Sequence, residues 1–157
     1  MKILGIDPGT ATTGFGVIEK KKGKLISIDY GVFSTPKELP MSNRLLIIYE
    51  DIKEIIDHHK PDVIAVEQLF FARNVTTAIT VGQARGVVLL AAQKSDLKLV
   101  EFTPLQVKQS VTGYGQATKK QVQEMVKKIL NLDKIPKPDD AADALAIAIC
   151  ASNTKLI

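Results

Sequence analysis

Between Lys2 and Phe33 the chain carries three apolar runs separated by segments too short to hold a helix. The runs at 2–7, 14–19 and 25–33 are joined through Asp7-Pro8-Gly9-Thr10 and through Lys20-Lys21-Lys22-Gly23-Lys24. Strands linked so tightly must return on one another, which predicts an antiparallel meander. Any fold for this chain has to start from three neighbouring strands.

Beyond Phe33 the periodicity changes. Ser34 to Met41 holds two prolines and reads as a loop. From Ser42, a suitable N-cap, to His58, residues Leu45, Leu46, Ile48, Tyr49, Ile52, Ile55 and Ile56 recur at helical spacing. Val63-Ile64-Ala65-Val66 is a short strand that ends at Glu67, and 98–102 is another. Helices are expected at 74–94, from Pro104 to about Val111, at 118–130 and at about 139–152. The order β-β-β-α-β-α-β-α-α-α predicts an α/β fold, a five-stranded mixed sheet with an antiparallel meander and parallel strands, flanked by helices. One domain is expected over residues 1–157.

Composition narrows the setting. No apolar run is expected to reach the ~18 residues of a membrane span. The apolar stretch after Lys2 is too short for a signal peptide, so a cytoplasmic protein without membrane attachment is expected. Cys150 is the single cysteine and has no disulfide partner within the chain. The net charge of +4 is unevenly spread, because between Phe102 and Lys137 seven lysines face only Glu124 and Asp133. A basic segment of this kind attracts polyanions, although charge alone is equally compatible with a solvated helix surface.

The acidic residues of interest stand in apolar surroundings. Asp7 closes the run Ile3-Leu4-Gly5-Ile6, and Glu67 closes Val63 to Val66. Ligands of open α/β sheets collect outside the carboxyl ends of strands. In Asp139-Asp140-Ala141-Ala142-Asp143-Ala144-Leu145-Ala146-Ile147, Asp143 is the only charge past the first helical turn, with Asp140 three residues earlier on the same side. Taken singly, Asp7 reads as turn chemistry, Glu67 as the partner of a lysine, and Asp139 or Asp140 as a helix-start charge. Together, buried carboxylates need a counter-charge, and a divalent cation held among Asp7, Glu67, Asp140 and Asp143 supplies it. His58 and His59 adjoin at a helix end without cysteine partners and are expected at the surface.

These stretches carry a resemblance. "GIDPGTATTGFGVI", "VIAVEQLFFARN", "ARGVVLLAA", "TPLQVKQSVTGYGQATKKQVQ" and "DDAADALAIAICA", in that order, resemble the RuvC family of Holliday-junction resolvases within the ribonuclease H-like superfamily. The resemblance covers almost the entire chain. It implies a metal-dependent endonuclease that cuts four-way DNA junctions at paired symmetrical positions during recombination and repair. The matching catalytic and metal-binding positions are Asp7, Glu67, Asp140 and Asp143, with Asp at 140 where some relatives have His. Two Mg²⁺ per site are expected, with Mn²⁺ as a substitute and Asp7 between the two ions. Lys108 and Lys119 match the family's essential lysines. They and Lys120 are expected to hold DNA phosphates, and Phe70 to stack on a base. The resemblance also implies a homodimer and a branch-migration helicase as partner.

The segment 76–92 is apolar on most sides, interrupted strongly only by Gln83 and Arg85. Either it is buried within the monomer, or one face covers the sheet and the other a second subunit, which the resemblance favours. The Asp-Pro-Gly-Thr turn also resembles the phosphate hairpin of actin-like ATPases. Those need two such lobes, and no second hairpin is present. The remaining alternatives are a related nuclease that processes RNA ends and a module that binds branched DNA without cutting it.

Overall fold

A computed structural model describes residues 1–68 and 75–154 of the chain. The strands β1 (Lys2–Asp7), β2 (Thr12–Lys21) and β3 (Lys24–Ser34) form the expected antiparallel meander. Strands β4 (Val63–Glu67) and β5 (Lys98–Phe102) extend the sheet beyond β1 in the order β3-β2-β1-β4-β5. β4 runs parallel to both β1 and β5, so the sheet is mixed. The helices are α1 (Met41–His59), α2 (Val75–Lys94), α3 (Pro104–Thr112), α4 (Lys119–Ile129) and α5 (Asp139–Asn153).

Alternation along the central strands sorts side chains into two cores. Leu4, Ile6, Val17, Ile64 and Val66 face α1 and α2, where Ile48, Ile52, Ile56 and Val88 meet them. Ile3, Ile18 and Ala65 face α5, where they join Leu145, Ile147 and Ile149. Helix α5 is buried on nearly every side from Ala141 to Ser152, lying between the sheet and the α3–α4 pair. Each fully buried Leu or Ile contributes about 1.5–3 kcal/mol.

The close seat of α5 depends on glycine. A Cβ at Gly5 would lie 2.1 Å from the Ala144 carbonyl oxygen, and one at Gly14 would lie 2.0 Å from that of Asp140. Gly5 and Gly14 share the sheet face of Asp7, since Asp7 pairs with Gly14 across β1 and β2. Absent side chains on that face let the helix backbone settle directly on the strands.

Several local expectations need correction. β2 begins at Thr12 and reaches Lys21, because the ladder continues from Thr12↔Ser34 to Lys21↔Lys24 through polar residues that an apolar pattern does not register. The N-cap of α1 is Pro40, with no side-chain cap bond, and Ser42 lies inside the first turn. His59 is partly buried rather than freely exposed. Its side chain is 10% exposed, and its ring pairs with the Asp29 carboxylate at 3.0 Å. His58 is exposed as expected.

Helix α2 is long and apolar enough to cross a membrane by length and composition, with mean hydropathy 1.4 over 18 residues. It is the one such helix among the described residues. Here Ala78, Ala84, Val88, Ala91 and Ala92 are buried, α1 packs alongside, and Arg85 pairs with Glu101 of β5. Val75, Ile79 and Leu90 stand exposed on its other side. The helix is therefore neither buried all round nor surrounded by purely apolar neighbours.

Candidate active site

The parity of two neighbouring strands aims two carboxylates the same way. Ile6 pairs with Val66 across β1 and β4, so the next residues, Asp7 and Glu67, end adjacent strands on the α5 face. The N-terminal end of α5 descends onto that corner and supplies Asp140 and Asp143. One carboxylate oxygen from each of Asp7, Asp140 and Asp143 lies within 4.8 Å of the other two. Glu67 stands outside this trio but lines a cleft of about 290 Å³ together with Asp7, Asp143, Lys108 and Lys119. Two overlapping carboxylate groups thus share Asp7 and Asp143.

The electrostatics register the crowding. Burial, followed by the charges of Asp143, Asp140 and Glu67, pushes the Asp7 carboxyl up to about 8, with Lys119 pulling the other way. Glu67 is raised by burial and by Asp143, against the pull of Lys108. Asp143 is also raised, burial outweighing its hydrogen bond to Lys119. These carboxylates repel one another where water screens them poorly. Clustered hard oxygen donors with unmet negative charge fit a divalent cation such as Mg²⁺ or Mn²⁺.

The lysines come from α3 and the start of α4. Thr103 and Thr118 each form a reciprocal capping box, with Gln106 and Gln121, and so fix where the two helices begin. Lys119, the first residue of α4, places its Nζ 3.1 Å from Asp143 Oδ2 and 3.6 Å from Asp139 Oδ2. Lys108 lies on the cleft wall. Lys120 turns elsewhere and lines a separate surface groove with Tyr114, Met125 and Lys128.

The fold therefore gathers Asp7, Glu67, Asp140, Asp143, Lys108 and Lys119 in one place and leaves Lys120 outside it. Phe70 lies outside the described residues. Sequence reasoning overlooked Asp139 as a partner of Lys119. The available signal was its position four residues before Asp143, which puts both on one face of α5.

The family profile described as crossover junction endodeoxyribonuclease RuvC matches residues 3–151. A protein of that name from Desulfitobacterium hafniense is 58% identical over 154 residues, spanning 98% of this chain and 93% of its own. One from Thermosipho melanesiensis is 59% identical over 150 residues, 96% of each chain. The structure of Thermus thermophilus RuvC in complex with a Holliday junction substrate superposes with a TM-score of 0.88 at 34% identity, covering 97% of this chain and 93% of that one. A yeast mitochondrial Holliday junction resolvase, 18% identical with a TM-score of 0.66, shares the fold. On a profile spanning most of its length and relatives matched nearly end to end, the chain belongs to the RuvC family of crossover junction endodeoxyribonucleases.

Proposed function

We propose that this protein is a metal-dependent, structure-selective endonuclease that resolves four-way Holliday junctions in DNA recombination and repair. The observation that carries the reading is the convergence of Asp7, Asp140 and Asp143 beside Glu67 in a member of this family. Asp7, Glu67, Asp140 and Asp143 would hold two Mg²⁺, for which Mn²⁺ can substitute. The overlap of the two carboxylate groups at Asp7 and Asp143 supports that number. When bound, such ions supply an activated water and stabilise the leaving oxygen of a phosphodiester.

The chain's own groups do the rest. Lys108 and Lys119 flank the carboxylates and would hold the scissile phosphate between them, offsetting the charge that builds on its oxygens. The products would be a 5′-phosphate and a 3′-hydroxyl. Lys120, with the other lysines of 102–137, would touch a DNA arm away from the reacting phosphate, and Phe70 would stack on an unpaired base near the crossover.

Paired cuts need paired sites. Val75, Ile79, Gly86 and Leu90 form an exposed stripe along α2, and among the described residues outside the helix nothing stands within 4 Å of where a Gly86 side chain would project. A symmetric homodimer through this helix, around 76–92, would present two clefts to a two-fold junction. A branch-migration helicase in the same complex, in the cytoplasm, completes the reading.

The test is cleavage of labelled junction, duplex and RNA substrates by purified protein with Mg²⁺. Paired symmetrical nicks in the junction alone are expected. Binding without nicks would leave a branched-DNA module, and RNA trimming would move the activity to the related nucleases.

A further inference from the structure

The Lys119 ammonium rests where a cation is wanted. It touches Asp143, whose oxygens belong to the cluster, and it also lies 3.6 Å from Asp139, which does not. Asp139 is half-exposed, and its second oxygen accepts from Lys137 Nζ at 3.0 Å. Asp139 and Asp143 are one turn apart on α5, so their carboxylates form two adjacent stations for the same ammonium. Lysine suits such a move, being a compact point charge with rotatable donors on a flexible stem.

We propose that Asp139 is a positioning residue, a second seat that receives the Lys119 ammonium when a divalent cation claims Asp143. The inference rests on the metal-binding reading given above. A cation entering the cluster competes with Lys119 for Asp143 and repels it. Without Asp139 the displaced ammonium would lose its only other carboxylate within 4 Å among the described residues. With Asp139 present it shifts by a small rotation and stays beside the cleft, where an incoming phosphate can take it. Lys137 binds the other Asp139 oxygen and leaves the first one to Lys119. Asp139 thereby lowers the free-energy cost of loading the site while touching neither metal nor phosphate.

A double-mutant cycle on Mn²⁺ affinity tests this in the full chain without DNA, by calorimetry or by the electron paramagnetic resonance of free Mn²⁺. Asp139→Asn is expected to weaken binding about 2–5-fold, and Lys119→Gln to tighten it. In the Lys119→Gln background, Asp139→Asn should have almost no further effect, since no ammonium is left to seat. Equal weakening in both backgrounds would overturn the proposal, making Asp139 a remote negative charge or a helix-start residue. Unchanged affinity in Asp139→Asn would overturn it as well. If the wild type and every variant fail to bind Mn²⁺, the metal reading itself falls and the inference with it, an outcome distinct from the other two.

Discussion

Asp7 is the residue on which folding and chemistry pull in opposite directions. Its carboxyl is driven to about 8 from the ordinary 3.8 by burial and by its acidic neighbours, so the folded protein holds that proton more tightly than the unfolded chain. Without metal, the fold's stability must therefore fall as pH rises from about 4 to 8 and the buried group ionises. Asp7→Asn removes this penalty. At pH 8 and without metal, its Tm should exceed that of the wild type by roughly 3–10 °C, with the gap closing toward pH 5. Differential scanning calorimetry across that range checks both points, and a gap independent of pH would contradict the assignment. Divalent cations should stabilise the wild type, by about 2.7 kcal/mol at a hundred times Kd, and leave Asp7→Asn much less affected. The same variant should still bind junction DNA while its Mg²⁺-dependent cleavage falls by at least ~100-fold. Asp7 and Asp143 were legible in the sequence because a lone charge in an apolar run requires a reason. Asp139 was read only as a helix-start charge, because side by side in a chain Asp139 and Asp140 look alike. Only the helical screw sends one into the cluster and the other toward Lys119 and Lys137.

Among the elements, α5 bears the greatest demand, since it delivers two carboxylates and fills one core. Its approach is set by Gly5 and Gly14, and Gly14 sits beneath the Asp140 carbonyl. Gly14→Ala should push the first turn of α5 away, destabilise the protein by about 1–3 kcal/mol and lower both metal affinity and cleavage. Gly5→Ala should lower the Tm comparably, with a smaller effect on metal affinity because the clash falls a turn or more further along α5. Thermal melts and Mn²⁺ titration of the two variants separate these effects. Strand and helix existence followed from apolar runs, tight turns, helical spacing and helix-opening residues such as Pro104, including the short runs at Val63 and Lys98. Element ends did not, since β2 is extended by backbone pairing and the N-cap of α1 is a proline whose side chain forms no cap bond. Burial around α2 was likewise hidden. Its apolar residues surround the helix, and no period tells which side a sheet will cover.

For the whole molecule, the two sides of the sheet carry different duties. α3 and α4, on the α5 side, bring the lysine-rich segment to the cleft, while α2 presents bare apolar side chains on the opposite layer. Under the proposed α2 homodimer, the wild type should sediment as a dimer and the variant with Ile79 and Leu90 both changed to Glu as a monomer. The variant's Tm should fall and lose its dependence on protein concentration, since dimerisation stabilises the folded protomer by mass action. Analytical ultracentrifugation reads the first effect, and loss of coordinated paired nicking on a cruciform substrate follows from it. A variant with Lys108 and Lys119 both changed to Gln should bind junction DNA more weakly, with a salt dependence shallower by about 0.9 for each phosphate no longer neutralised. An unchanged slope would take those lysines off the DNA. The seating of α5 against β1 also has a temporal side. Asp7 leaves the ribosome long before Asp140 and Asp143, which emerge only after almost all the described residues have been translated. A nascent chain therefore cannot assemble the acidic cluster until α5 has been made, so the strands that carry Asp7 and Glu67 escape the burial and repulsion of that cluster while the sheet is taking shape.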